Sequence, residues 1–100
     1  ALASAFSVIR NVSVPLGIST PGAPNIASTL WRTVSDQKNR QYYFESTRSP
    51  NVFWVGLDDF DFTEGGDVRR LPLTGGEIYA GDASGAFAVA EPFAFLPATL

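Results

Sequence analysis

One hundred residues, 45% of them hydrophobic and 17% charged, carry a formal net charge of −3 and contain neither Cys nor His. A chain this long makes one domain at most and buries about 60–70% of its unfolded surface, and an acidic balance without a basic cluster lacks the footprint of a nucleic-acid or anionic-membrane binder. Without Cys or His there is no disulfide, thiolate or imidazole metal ligand, Cys nucleophile or His base, which leaves carboxylates, hydroxyls, Lys and Arg for any chemistry in this stretch.

Ala1 to Asn11 reads as a helix. Leu2, Ala5, Phe6 and Ile9 recur at i, i+3, i+4 and i+7 and make one apolar stripe, with Ser4, Ser7 and Arg10 off it. No N-cap residue precedes Ala1, which suggests a chain cut from a longer one. Pro15 and Gly17 confirm that the helix has ended by then. Val12 to Ser28 is a loop of Pro, Gly, Ser and Thr. Its Val12, Val14, Leu16 and Ile18 hint at a short extended segment on a sheet edge, since prolines bar a central strand.

Thr29 to Thr47 carries the strongest local signal. Two arms rich in β-branched and aromatic residues, 29–35 and 41–47, flank the polar link Asp36-Gln37-Lys38-Asn39-Arg40, the pattern of a β-hairpin. Strand side chains alternate between faces, which puts apolar groups on both: Leu30 and Val34 against Trp31 in the first arm, Tyr42 and Phe44 against Tyr43 in the second. A hairpin covered on one side alternates more cleanly, so covering layers are expected on both. Asn51 to Leu57 repeats the two-faced apolar pattern and completes an antiparallel meander, with Val68 to Leu73 a fourth strand shortened by Pro72. Residues 74–100 read as an extended tail, in which Ile78 and Tyr79 are candidates for pairing and Phe87, Phe93, Phe95 and Leu96 for pinning onto another surface.

Each candidate for chemistry meets a plainer reading. Asp58, Asp59, Asp61, Glu64 and Asp67 offer oxygen ligands. An EF-hand register begun at Asp59, however, places Glu64 where Gly is needed and Arg70 where a closing Glu is needed. A solvated acidic turn partly balanced by Arg69 and Arg70 fits better, and no metal ligand is assigned. Ser35 and Lys38 match S-x-x-K, a motif that requires a helix and partner motifs, whereas here it runs into the hairpin turn. Asn11-Val12-Ser13 is a glycosylation sequon of little weight on its own. Thr74-Gly75-Gly76 is followed by no Lys and opens no helix, unlike a phosphate loop. Trp31, Tyr42, Tyr43, Phe53 and Trp54 read as core aromatics rather than a ligand shelf.

Taken together, Ile9-Arg10-Asn11-Val12-Ser13-Val14-Pro15-Leu16-Gly17, then Ser28-Thr29-Leu30-Trp31-Arg32-Thr33-Val34-Ser35-Asp36, then Asn39-Arg40-Gln41-Tyr42-Tyr43-Phe44, then Asn51-Val52-Phe53-Trp54-Val55 form a familiar order. It resembles the C-terminal part of the choloylglycine hydrolase family, which includes penicillin V acylases and bile salt hydrolases, in the flavour of its Gram-negative members. The resemblance covers Ala1 to about Leu73, and the tail beyond Gly75 matches nothing placed. It implies an α+β fold: a portion of an αββα N-terminal nucleophile hydrolase sandwich, one helix followed by an antiparallel meander, with residues 1–100 as a single C-terminal segment.

The resemblance further implies hydrolysis of a linear C–N amide by an N-terminal Cys whose own α-amino group is the base, without a cofactor. No catalytic residue is carried over, because this stretch has no Cys and begins at Ala1, and no substrate-binding residue is assigned. The expected partners are the upstream part of the same enzyme and a small-molecule amide substrate, with neither nucleic acid nor membrane, and a homo-oligomer is left open. The expected location is periplasmic or secreted in a bacterium, with a cytoplasmic one as the alternative. The rival reading is a self-standing β-rich interaction module.

Overall fold

The computed structural model describes residues 1–15, 22 and 28–98. It contains α1 (Leu2–Asn11), β1 (Trp31–Asp36), β2 (Gln41–Ser46), β3 (Val52–Gly56), a 3-10 turn (Leu57–Asp59), β4 (Arg69–Arg70), β5 (Gly81–Asp82), a second 3-10 turn (Ser84–Ala86) and β6 (Ala88–Val89). The helix stripe does what its spacing predicts. Phe6 is 6% exposed and meets the Tyr43 ring edge to face at 6.2 Å.

β1, β2 and β3 form the expected antiparallel meander, in register Arg32↔Glu45 and Val34↔Tyr43 on one side of β2, and Tyr43↔Trp54 and Phe44↔Phe53 on the other. The hairpin link is one residue shorter than read from sequence, because Asp36 is still in β1 and pairs with Gln41. The turn is held by Asp36, whose carboxylate accepts from the Asn39 backbone N–H at 3.1 Å and the Asn39 side-chain amide at 2.8 Å. Arg40 closes it in the left-handed region, φ 55°.

This register sorts the aromatics. Arg32, Val34, Tyr43, Glu45 and Trp54 share the face that α1 covers, while Trp31, Thr33, Tyr42, Phe44, Phe53 and Val55 share the other. Tyr43, Phe53 and Val55 are buried, so the core lies on both faces of β2 and β3. Val14 runs along the edge at Thr29: the Thr29 N–H donates to the Val14 carbonyl at 3.1 Å, and the Val14 N–H to Thr29 Oγ1 at 2.9 Å. Leu16 and Ile18, expected in the same segment, lie outside the described residues.

The remaining strands differ from expectation. The run Val68 to Leu73 supplies only Arg69–Arg70, which leaves the meander and pairs with Ala88–Val89 in a second, two-stranded sheet. The fourth place in the main sheet, order β1-β2-β3-β5, goes to Gly81–Asp82, parallel to β3. The segment expected as an extended tail, with pairing at Ile78 and Tyr79, contains two short strands elsewhere, Gly81–Asp82 and Ala88–Val89. Ile78 stays exposed and does not pair. Tyr79 instead donates its hydroxyl to the Pro72 carbonyl and sets its ring 5.5 Å from Phe53. Pro72 explains the shortening, since it has no N–H to give a ladder. Gly81 has φ +76°, which glycine adopts without the Cβ clash other residues suffer.

Candidate functional site

Two features stand out when the molecule is built up from its side chains. The first is a charged cluster between α1 and the hairpin. Glu45 is 8% exposed, and burying a carboxylate is costly unless it is paired and hydrogen-bonded. Arg32 NH1 donates to Glu45 Oε1 at 2.9 Å and Arg10 NH2 to Oε2 at 2.5 Å. Arg32 Nε donates to Ser13 Oγ at 2.8 Å, and Ser13 Oγ donates to the Ile9 carbonyl at 2.9 Å. Hydrogen bonding to Glu45, reinforced by its charge, raises the Arg10 pKa above its ordinary value. Every strong group in the cluster has a partner, so it locks helix to sheet and presents no free acid or base.

The second feature is a hollow on the opposite face. A space of about 570 Å³ is lined by Tyr42, Val55, Leu57, Phe60, Val68 and Phe87 among others. A neighbouring space of about 270 Å³ adds Phe44, Phe53, Leu71 and Leu73. The meander bounds one side of these spaces, and the β4 segment with Phe87 bounds the other. They are therefore an inter-sheet core whose second sheet is only two residues deep.

The candidates singled out from sequence are not brought together. Asp58 pairs with Arg40 at 2.9 Å, both exposed, and Asp59 accepts from Ser84 Oγ at 3.1 Å. Asp61 accepts from the Thr63 hydroxyl and backbone N–H, which hold its pKa below the usual carboxylate value. Among the described residues no group of three His, Cys, Asp or Glu side chains is placed to hold a metal ion. Ser35 lies in β1 and Lys38 in the turn, not on one helical turn. Gly75 N–H donates at 2.9 Å to the carboxylate of Glu77, so this bend already holds an anion of its own chain. The aromatic set is split, with Tyr43 and Trp54 facing α1 and Trp31, Tyr42 and Phe53 facing away. The Arg10–Glu45–Arg32 cluster was missed, although Arg32 and Glu45 fall opposite each other in any hairpin that pairs Asp36 with Gln41.

Residues 1–71 match the family described as linear amide C-N hydrolases, choloylglycine hydrolase family. The chain belongs to that family. This choloylglycine hydrolase chain is 56% identical over 97 residues to a penicillin V acylase of Pectobacterium atrosepticum, a match covering 94% of the chain and 26% of that protein. The solved structure of penicillin V acylase from Agrobacterium tumefaciens aligns with a TM-score of 0.81 at 49% identity, covering 95% of the chain and 31% of its own. The helix and antiparallel-rich sheet are thus a piece of the α+β penicillin V acylase fold. The tail beyond Gly75, which resembled nothing placed, falls largely within the likeness to the Pectobacterium protein, since that match covers 94% of the chain. The chain spans about a quarter to a third of the length of these relatives.

Proposed function

We propose that the chain is the C-terminal segment of a linear amide hydrolase, structurally necessary and catalytically silent alone. Its upstream part would provide an N-terminal Cys that attacks the amide carbonyl, the Cys α-amino group taking the thiol proton. The amine then leaves with a proton, and water hydrolyses the acyl-enzyme to release the acid. This stretch contains no Cys, so in this reading the Cys nucleophile comes from the upstream part. The relatives' name directs the substrate reading towards phenoxyacetyl amides of the penicillin V kind. Bile salt conjugates and N-acyl homoserine lactones belong to the same chemical class. A periplasmic or secreted bacterial location goes with this reading.

The observation that carries the proposal is the unfinished inter-sheet core. A helix covers one face of the meander, as an αββα sandwich requires, but the other face meets a ribbon pairing only Arg69↔Val89 and Arg70↔Ala88 across open apolar space. Further strands of the second sheet are what would fill it.

The test is hydrolysis of penicillin V, followed by phenoxyacetate release, with the isolated chain and with the chain co-refolded with an upstream segment bearing the N-terminal Cys. Activity is expected only in the second case. An isolated chain that is monomeric, strongly protected from amide exchange and indifferent to the upstream segment would overturn the reading in favour of a self-standing module.

A further inference from the structure

At Ala90 the backbone N–H donates to the Val68 carbonyl at 2.8 Å, and beyond it no residue up to 98 joins a strand or a recorded hydrogen bond. Pro92 and Pro97 lack an N–H and fix their own φ, which makes this segment a poor template for strand addition. Phe93 and Phe95, two apart on an extended backbone, turn to one side, where their rings meet edge to face at 4.9 Å. This aromatic pair stays in water: Phe93 is 79% exposed, Phe95 86% and Leu96 92%. Each Phe can bury about 150–250 Å², and a contiguous apolar surface of that size marks an interaction site.

We infer that residues 91–98 are a clasp that packs on the upstream part of the same subunit, an inference resting on the reading of the chain as a C-terminal segment. Two observations select that partner. The relatives align with nearly all of this chain yet extend far past it, so most of such a protein adjoins the segment rather than belonging to it. The clasp also springs from β6, in a sheet of two short strands among the described residues, so strands added to that sheet by the upstream part would be the first apolar surface it reaches. The family match ends at residue 71, so the clasp lies outside the part of the chain which that match covers.

The experiment compares the full-length protein with a truncation after Ala90 and with the double variant Phe93→Ser/Phe95→Ser. The expected result is a fall in thermal midpoint of about 5–10 °C for both. Particle mass by light scattering should not change, amide exchange should quicken in the upstream part, and Phe93→Leu/Phe95→Leu should retain most of the stability. A midpoint shift under about 1 °C would overturn the clasp. So would a loss of particle mass, which would mean that the segment joins separate copies. Wild-type hydrolysis of penicillin V, measured alongside, judges the functional reading separately, so the clasp can fail while that reading stands.

Discussion

Arg32 and Glu45 sit directly opposite each other across the hairpin, with Arg32 NH1 2.9 Å from Glu45 Oε1 and the glutamate almost wholly out of water. Arg10 reaches the second oxygen from the helix, so one carboxylate joins two elements far apart in sequence. Removing it leaves Arg32, largely buried, without its partner. Glu45→Ala is expected to destabilise the protein that carries this chain by about 2–4 kcal/mol in urea unfolding. The apolar pair Arg32→Met/Glu45→Leu should recover much of the loss, and a double variant as unstable as Glu45→Ala would contradict this account.

The pH dependence has a definite sign at the turns. Asp36 has its pKa lowered from 3.8 chiefly by the Asn39 side-chain amide and then by the Asn39 backbone N–H. Asp82 is lowered by the Ser84 backbone N–H and hydroxyl. A carboxylate with a depressed folded pKa stabilises above its unfolded pKa, and that contribution is lost as pH falls through the folded value. Unfolding midpoints recorded from pH 6 down to about 2.5 should therefore drop below about pH 4, with a shallower drop in Asp36→Asn. Identical acid limbs in the two proteins would remove Asp36 from the explanation.

Arg40 sets two small effects against each other. Its left-handed backbone costs an L-residue about 1–2 kcal/mol, while its ion pair with Asp58, 62% and 72% exposed at the two side chains, is worth at most about 1 kcal/mol. Arg40→Gly is expected to leave stability within about 1 kcal/mol of wild type or raise it. Arg40→Val should lower it by more than 1 kcal/mol, because β-branching adds to the strain. Chemical denaturation of the two variants ranks the terms, and the reverse order would mean that the ion pair dominates.

Packing between α1 and the sheet depends on Phe6, wedged edge-on against Tyr43, which in turn lies 5.6 Å from Trp54. Phe6→Ala should cost about 3–5 kcal/mol, whereas Ser7→Ala, on the exposed side of the helix, should change stability by less than about 0.5 kcal/mol. Equal effects at the two positions would mean that the helix does not dock through its stripe.

What the sequence disclosed followed from local periodicity. The 3.6-residue stripe placed α1 to within a residue, and β-branched and aromatic arms around a polar link placed β1 and β2. Apolar groups on both faces also told that the core lies on both sides of β2 and β3. Gly81–Asp82 was invisible because neither residue favours a strand, and its pairing with Phe53–Trp54 is decided by tertiary contact. Arg69–Arg70 lay inside a predicted strand, yet nothing local says which sheet a two-residue strand will join. The Glu45 cluster was hidden because charged residues on an otherwise apolar arm read as solvent-facing until the register and Arg10 are both known.

The parallel pairing of β5 beside β3 makes the connection from Leu57 to Ala80 a crossover, which leaves the far end of β3 and returns to the level of Phe53 at Gly81. A long connection can change length cheaply, since doubling it costs only about 0.6 kcal/mol in closure entropy. Insertions and deletions among relatives should therefore collect at its exposed Glu64-Gly65-Gly66 and Gly75-Gly76 bends, making this excursion the place where evolution can remodel the C-terminal segment without disturbing the meander.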